Sequence, residues 1–464
     1  MITYNRGLGY MLKSLNFFKP AKHIARLPEH KIDPVYKKLR IQVFMGIIVG
    51  YVCFYLVRNN FALAVPHLLQ EGFTKTQLGM VPSAAALAYG FSKFLMAIVS
   101  DRSNPRYFLA TGLFLAAIIT FLMGTHYVLG SLTLMIGLML CSGWVQAMGW
   151  PASARVMVHW FSESERGAKM SIWACAQNIG GGLVALLAFA GMQYCGLSWQ
   201  NSIFTAPAFI TLAAAILVIG TVRDTPQSEG LPSIEEYHHS KIASTNAVQH
   251  NAEHEKELTA KEILFKYVLV NKYLWFLALA NIFVYFIRFG IGSWIPTYLH
   301  EVKGITHEAS KMALFWYEYA AIPGIILCGW LSDKYFASRR APMCVIYLVV
   351  VTIALLLYWI APVGSTTLCT VTLAAIGFFI YGPVVLIGIS AVDIAPKKAA
   401  GTAAGLTGLL GYVVGTMGAN VGAGAVVDHF GWNAAFIMML TAAVLSIVFL
   451  SLNWRVGRVV HTKK

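Results

Sequence analysis

Two arginines stand where an apolar chain has little use for charge. Arg58 ends the stretch YVCFYLVR (Tyr51–Arg58) and Arg288 ends NIFVYFIR (Asn281–Arg288), each inside a long hydrophobic run. In both copies a tyrosine precedes the arginine by three residues, and the arginines lie 230 residues apart (288 − 58). A guanidinium is planar, permanently charged, and able to donate two parallel hydrogen bonds to one pair of phosphate oxygens. Two of them on facing helices can neutralise a dianion. On a helix Tyr51, Tyr55 and Arg58 fall at i, i+4 and i+7, and so do Asn281, Tyr285 and Arg288. Each set draws one polar stripe along an apolar rod. At the centre of a bilayer each arginine costs roughly 2.5–3.5 kcal/mol on insertion scales. A cost taken twice, at equivalent places, points to a site for an anion between two halves of the chain.

Other charges inside apolar runs are few. Lys93 follows Tyr89 by one turn and has no counterpart in the second half, where the position 232 residues on is Ile325. It serves a substrate or a switch, or else it snorkels toward a helix end. Glu318 is the only acidic residue deep in a run. It is expected to offset the positive charge of the arginines, with proton coupling as the alternative. Asp101 and Asp333, next to Arg102 and Lys334, close the ends of the second and eighth runs. They are expected to gate by holding helix ends and halves together, not by touching substrate. Arg155 and His159 read as structural. The seven cysteines lack metal-ligand spacing and read as small apolar residues, while His238, His239, His250 and His254 are too loosely spaced for a metal. With no nucleophile–base constellation, no metal and no cofactor, the chain does not read as an enzyme.

The elements that carry these residues must be membrane helices. Of 464 residues 58% are hydrophobic and only 12% charged, with a mean hydropathy of +0.64. A soluble chain has about 45–50% apolar and about 25% charged residues. Apolar windows long enough to span a bilayer number twelve, at 41–69, 77–100, 106–125, 131–160, 168–193, 199–222, 272–299, 308–332, 341–361, 366–392, 400–427 and 433–453. The first 40 residues lack the short apolar core of a cleavable signal peptide. The net charge of +15 is no nucleic-acid footprint, because the basic residues crowd into the termini, the even-to-odd loops and the central linker. The opposite loops carry only Lys75, Lys303 and, at a helix start, Lys311. By the positive-inside rule both termini and the linker are cytoplasmic.

The chain divides into a basic tail (1–40), a first six-helix half (41–222), a polar linker (223–271), a second half (272–453) and a short tail (454–464). Asp101 and Asp333 are 232 apart and Gly167 and Gly401 are 234 apart, so three markers repeat at one offset and the halves form a parallel repeat. Gly180-Gly181-Gly182 in the fifth span, and Gly401/Gly405, Gly411/Gly415 and Gly418/Gly422 in the eleventh, are expected to line close helix contacts.

SDR-type loops after the second and eighth spans resemble the major facilitator superfamily. The strings FYLVRNNFALAVP, AYGFSKF, MVHWFSESERG, CAQNIGGG, YEYAAIPG, IYGPV and APKKAAGTAAG narrow the likeness to the organophosphate:phosphate antiporters, and within them to the glycerol-3-phosphate branch. It runs from about Ile24 to the end of the last span. The resemblance implies an all-α membrane protein of twelve helices in two pseudo-symmetric bundles, monomeric in the inner membrane. It would exchange an organic phosphate for inorganic phosphate, its partners being those two anions and the lipid bilayer. It also implies that Arg58 and Arg288 grip the phosphoryl group, with Lys93, Tyr51, Tyr55, Tyr89, Tyr285, Tyr381 and Tyr412 around it and Glu318 matching the family's eighth-span glutamate. Three departures touch specificity. Asn59 stands where those relatives usually have Lys, Ser293 where glycerol-3-phosphate members have Asp, and Gln177 where the family has a protonatable His. The phosphoglycerate branch shares Asn59 and Ser293, which makes its substrate the alternative. A hexose-phosphate antiporter, a sugar-phosphate sensor and a proton-coupled symporter are the other readings.

Overall fold

The computed structural model describes residues 18–456 apart from 102, 235, 238–267, 337–338 and 395–399. In a bilayer the backbone has no water to bond, so each apolar run must close its hydrogen bonds within itself, as a helix does. The rods, α1 to α12, are Glu29–Gln70, Lys75–Asp101, Pro105–Met123, Leu132–Trp160, 163–194, Asn201–Thr221, Lys272–Glu301, His307–Phe336, Arg340–Ile360, Thr366–Ile394, 400–430 and 432–451. No strand occurs among the described residues. α11 and α12 are separated by Gly431 alone, whose φ of +77° is open to glycine and strained for other residues. Asn104 and Asn271 cap α3 and α7, each accepting from the N–H two residues on at 3.0 Å.

The first helix starts earlier than its hydropathy announces. Residues 29–40, read above as tail, form its opening turns, steadied by an Asp33–Lys37 pair at 2.6 Å and by Tyr36, which is buried on Trp160 and stacked on Tyr237. The linker is likewise docked where it begins. Asp224 takes the Ala21 N–H at 2.9 Å and the Arg155 guanidinium at 3.0 Å, and Leu27 donates to the Gly230 carbonyl at 2.8 Å. Arg155 is thus a structural residue of the first half. The four linker histidines and Arg102 lie outside the described residues.

Each half repeats one close crossing. Gly180 of α5 lies against the Val52 carbonyl and Tyr55 of α1, and Gly415 of α11 lies against the Ile282 carbonyl and Tyr285 of α7. A Cβ at either glycine would collide with backbone. The eleventh-span expectation needs correction, because Gly405 and Gly422 face open space. Gly411 and Gly415, both inside the first of two π-helical segments (Gly411–Thr416 and Gly418–Gly422), keep one face on α7 against Asn281, Ile282 and Tyr285.

The halves meet along α2–α11 and α5–α8. Gly79 faces the Asn420 carbonyl, and Asp428 accepts from the N–H groups of Lys75 and Thr76 at 3.3 and 2.7 Å and from the Thr76 hydroxyl at 2.5 Å. Lys75 also pairs with Glu301 at 3.2 Å. Nearby, the His67 ring lies between Trp199 and His307, and His307 stacks on His300 with centroids 3.9 Å apart. These contacts clasp the halves at the end bearing the 1–2 and 7–8 loops.

Candidate functional site

The two arginines come from unlike backbones. Arg288 sits in the unbroken α7, 7% exposed, and the expected stripe with Tyr285 and Asn281 holds. In α1 the helix stops at Leu56 and resumes at Asn60, so Arg58 lies in the turn between and not on a continuous stripe with Tyr51 and Tyr55. Its N–H reaches the Tyr55 carbonyl at 3.2 Å. The amides that follow pull away from the helix. Asn60 donates to the Ile203 carbonyl of α6 at 2.7 Å, and Asn59 reaches Glu318 of α8. Short amide side chains with outside partners compete with helix continuation.

Aromatic rings, not carboxylates, face the guanidiniums. Arg58 stands 4.2 Å from the Tyr89 ring centre, 5.1 Å from Tyr55 and 5.7 Å from Tyr412. Arg288 stands 4.3 Å from Tyr381 and 4.9 Å from Phe289. Tyr412, within the π turn of α11, links the two groups, with its ring centre 4.9 Å from that of Tyr89 and 5.0 Å from that of Tyr285. Ring faces attract each cation by about 0.5–2 kcal/mol. Among the described residues neither guanidinium forms an ion pair, so their charge is open to a ligand.

The cavity between them has a volume of about 100 Å³. Tyr55, Arg58, Tyr89, Arg288, Glu318, Tyr381 and Tyr412 line it. The other candidates stand behind this wall. Tyr51 packs on Tyr55 and Trp173, and Tyr285 packs on Tyr412. Lys93 lies beyond the Tyr89–Tyr412 pair, 6.0 Å from each ring centre and 5.5 Å from Trp150. Gln177 is half-buried in α5 and is not among the lining residues. Of the expected gate, α2 ends at Asp101, and Asp333 pairs with Arg340 at 2.5 Å, with Asp393 3.6 Å from the same guanidinium. These three residues join α8, α9 and α10. Lys334 faces Trp330 and Tyr335 of its own helix.

Sequence reasoning missed the partners of Glu318. This residue is 5% exposed and takes the Asn59 amide at 3.4 Å, the Asn178 amide at 3.1 Å and the Tyr381 hydroxyl at 2.6 Å. Two donors come from the first half and one from the second, so the carboxylate bridges the halves at the depth of the arginines. Gln146, Ser142, Ser293 and Asn420 complete a neutral polar wall. Isolated amides within apolar runs were the available signal.

Two six-helix bundles closing on one buried cationic cavity define a polytopic carrier fold. The chain belongs to the Major Facilitator Superfamily, whose description matches residues 47–419. It is 55% identical to the glycerol-3-phosphate transporter of Bacillus subtilis (strain 168), over 96% of this chain and 99% of the relative. It is 45% identical to the protein of that name from Haemophilus influenzae, over 93% and 94%. A crystal structure of a bacterial homologue of the human lysosomal transporter Spinster shares the fold, with a TM-score of 0.64 at 16% identity over 90% of this chain and 95% of that one.

Proposed function

We propose that the protein exchanges glycerol-3-phosphate for inorganic phosphate across the bacterial inner membrane, as a monomer with both termini cytoplasmic. One observation carries the reading: each half contributes one guanidinium, poised over tyrosine rings and without an ion pair among the described residues, to a single cavity. A phosphoryl dianion there meets two forks of donors, and its binding draws the halves together. The relatives' names supply the organic moiety. Size agrees, since about 100 Å³ suits a phosphate or three-carbon ester better than the ~300–1,000 Å³ of pockets for larger ligands. The basic loops favour the topology.

Arg58, Arg288, Tyr89, Tyr381 and Tyr412 are assigned to the phosphoryl group, and Tyr51, Tyr285, Lys93 and Gln177 to the layer supporting it. The test is uptake of radiolabelled phosphate by phosphate-loaded proteoliposomes holding the purified chain. Uptake inhibited by glycerol-3-phosphate is expected. Binding without exchange would instead make the chain a sensor.

A further inference from the structure

Where the halves close on each other at the 1–2 and 7–8 loop end, titratable rings meet face to face. His67, in the last turn of α1, stacks on Trp199 at 4.8 Å with 7° between the planes, and on His307 of α8 at 5.0 Å and 28°. His300 of α7 stacks on His307 in turn, at 3.9 Å and 25°, and its Nδ1 donates to the Ile305 carbonyl at 3.3 Å. The first half thus supplies His67 and Trp199, and the second half His300 and His307. The His67 Nε2 is buried without a hydrogen-bond partner. The charged groups facing the rings are Lys311 and Glu308 of α8. Lys311 is 2% exposed and crosses the same seam, its ammonium 3.1 Å from the Met192 sulfur of α5 and 3.9 Å from Glu308. A thioether is a weak acceptor, and the Glu308 side chain is 39% exposed, so water screens its charge.

Neutral imidazoles stack as other aromatic rings do. Imidazolium rings do not, because each added proton sets a positive charge 3.9–5.0 Å from the next ring and beside Lys311. Parting the halves takes His67 away from His307 and gives both rings to water. Protons therefore bind the parted state better than the closed one, and acid shifts the population toward it. An unperturbed histidine titrates at about pH 6.5, whereas the carboxylates of the neighbouring clasp, Asp428 and Glu301, belong to a type that titrates at about pH 4. We propose that the stack of His67, His307 and His300 is a pH switch on this closure: neutral, it holds the halves shut, and protonated, it parts them. On the topology proposed above this end is the outer face, so acid outside opens the cavity to the outside.

The test uses no substrate, so the ionisation of phosphate does not enter it, and failure of the exchange reading leaves it intact. Spin labels at Tyr127→Cys and Val363→Cys, exposed positions in the 3–4 and 9–10 loops of opposite halves, report the opening in detergent. The exposed Cys141 and Cys195 are replaced by Ser in this chain. Between about pH 8 and about pH 5.5 the ratio of long to short distances should rise about 10-fold for each ring that must be neutral to stack. The double variant His67→Gln, His307→Gln should hold that ratio within about 2-fold over the same range, whatever its starting value. Rings that merely packed would leave no such difference in slope. A flat response in the unmodified chain overturns the proposal, and so does an equal rise in the double variant. Should long distances be too sparse to read in the unmodified chain, the same titration in Asp428→Ala, which loosens the neighbouring clasp, decides. A ~10-fold rise there supports the switch, and its absence overturns it.

Discussion

At the scale of single residues, the guanidiniums matter for their shape as much as for their charge. Arg58 and Arg288 stand over the rings of Tyr89 and Tyr381 at 4.2 and 4.3 Å, a seat that suits a planar cation. Replacing either by Lys keeps the charge but loses both the stacking and the two-pronged fork. Exchange is expected to fall by on the order of 100-fold in each variant, equivalent to about 2.7 kcal/mol, with normal abundance in the membrane. Near-normal exchange in both Lys variants would remove the arginines from the site. The pair was legible in the sequence because charge inside an apolar run is conspicuous and the run repeats. The shell of Glu318 was not. Asn59 and Glu318 are separated by 259 positions and Asn178 and Glu318 by 140, and no local pattern announces a contact across halves.

At the scale of elements, the carrier alternates stiff rods with interrupted ones. α7, α8 and α10 pass the site unbroken, while α1 turns at Arg58, α5 breaks at Cys175 just before Asn178, and α11 loosens into π turns at Tyr412. Interruptions are tolerated in a bilayer only where protein or a cavity re-satisfies the backbone, so they mark the site. The twelve spans were legible from length and hydropathy. The turn at 57–59 was not, since VRNNF has neither glycine nor proline, and the cause is a pair of amides bonded to distant helices. The glycines of α11 were overread at Gly405 and Gly422, because spacing of four names a face and not the helix that covers it. The two kinds of glycine give opposite expectations. Gly415→Ala drives a Cβ into the Ile282 carbonyl and should destabilise by about 1–3 kcal/mol. Gly405→Ala enters open space and should be neutral or stabilising by up to about 1 kcal/mol. Thermal unfolding in detergent separates them, and equal shifts would contradict the assigned packing.

At the scale of the whole molecule, the clasp at the 1–2 loop end and the cavity beneath it work against each other. Asp428 holds the start of α2 through three contacts, and Lys75 holds Glu301. Asp428→Ala should release that end. Spin labels at Glu71 and His429, on opposite halves, should then show a larger long-distance population, and an unchanged distribution would mean that the clasp does not hold the closed state. Inside, two unpaired guanidiniums resist closure of an empty cavity. Two unit charges some 8 Å apart repel by about 2 kcal/mol at an effective dielectric of 20, and drying them adds to this. A total of ~4 kcal/mol slows reorientation about a thousandfold. On the exchange proposed above, a phosphate dianion turns that repulsion into two attractions, so the carrier is expected to cross loaded in both directions and to exchange without leaking. Efflux of preloaded labelled phosphate from proteoliposomes, with and without external glycerol-3-phosphate, tests this most directly. Efflux should be fast with the external ester and slower by orders of magnitude without it, whereas equal rates would show that the empty carrier turns over freely and contradict the role given to the paired arginines.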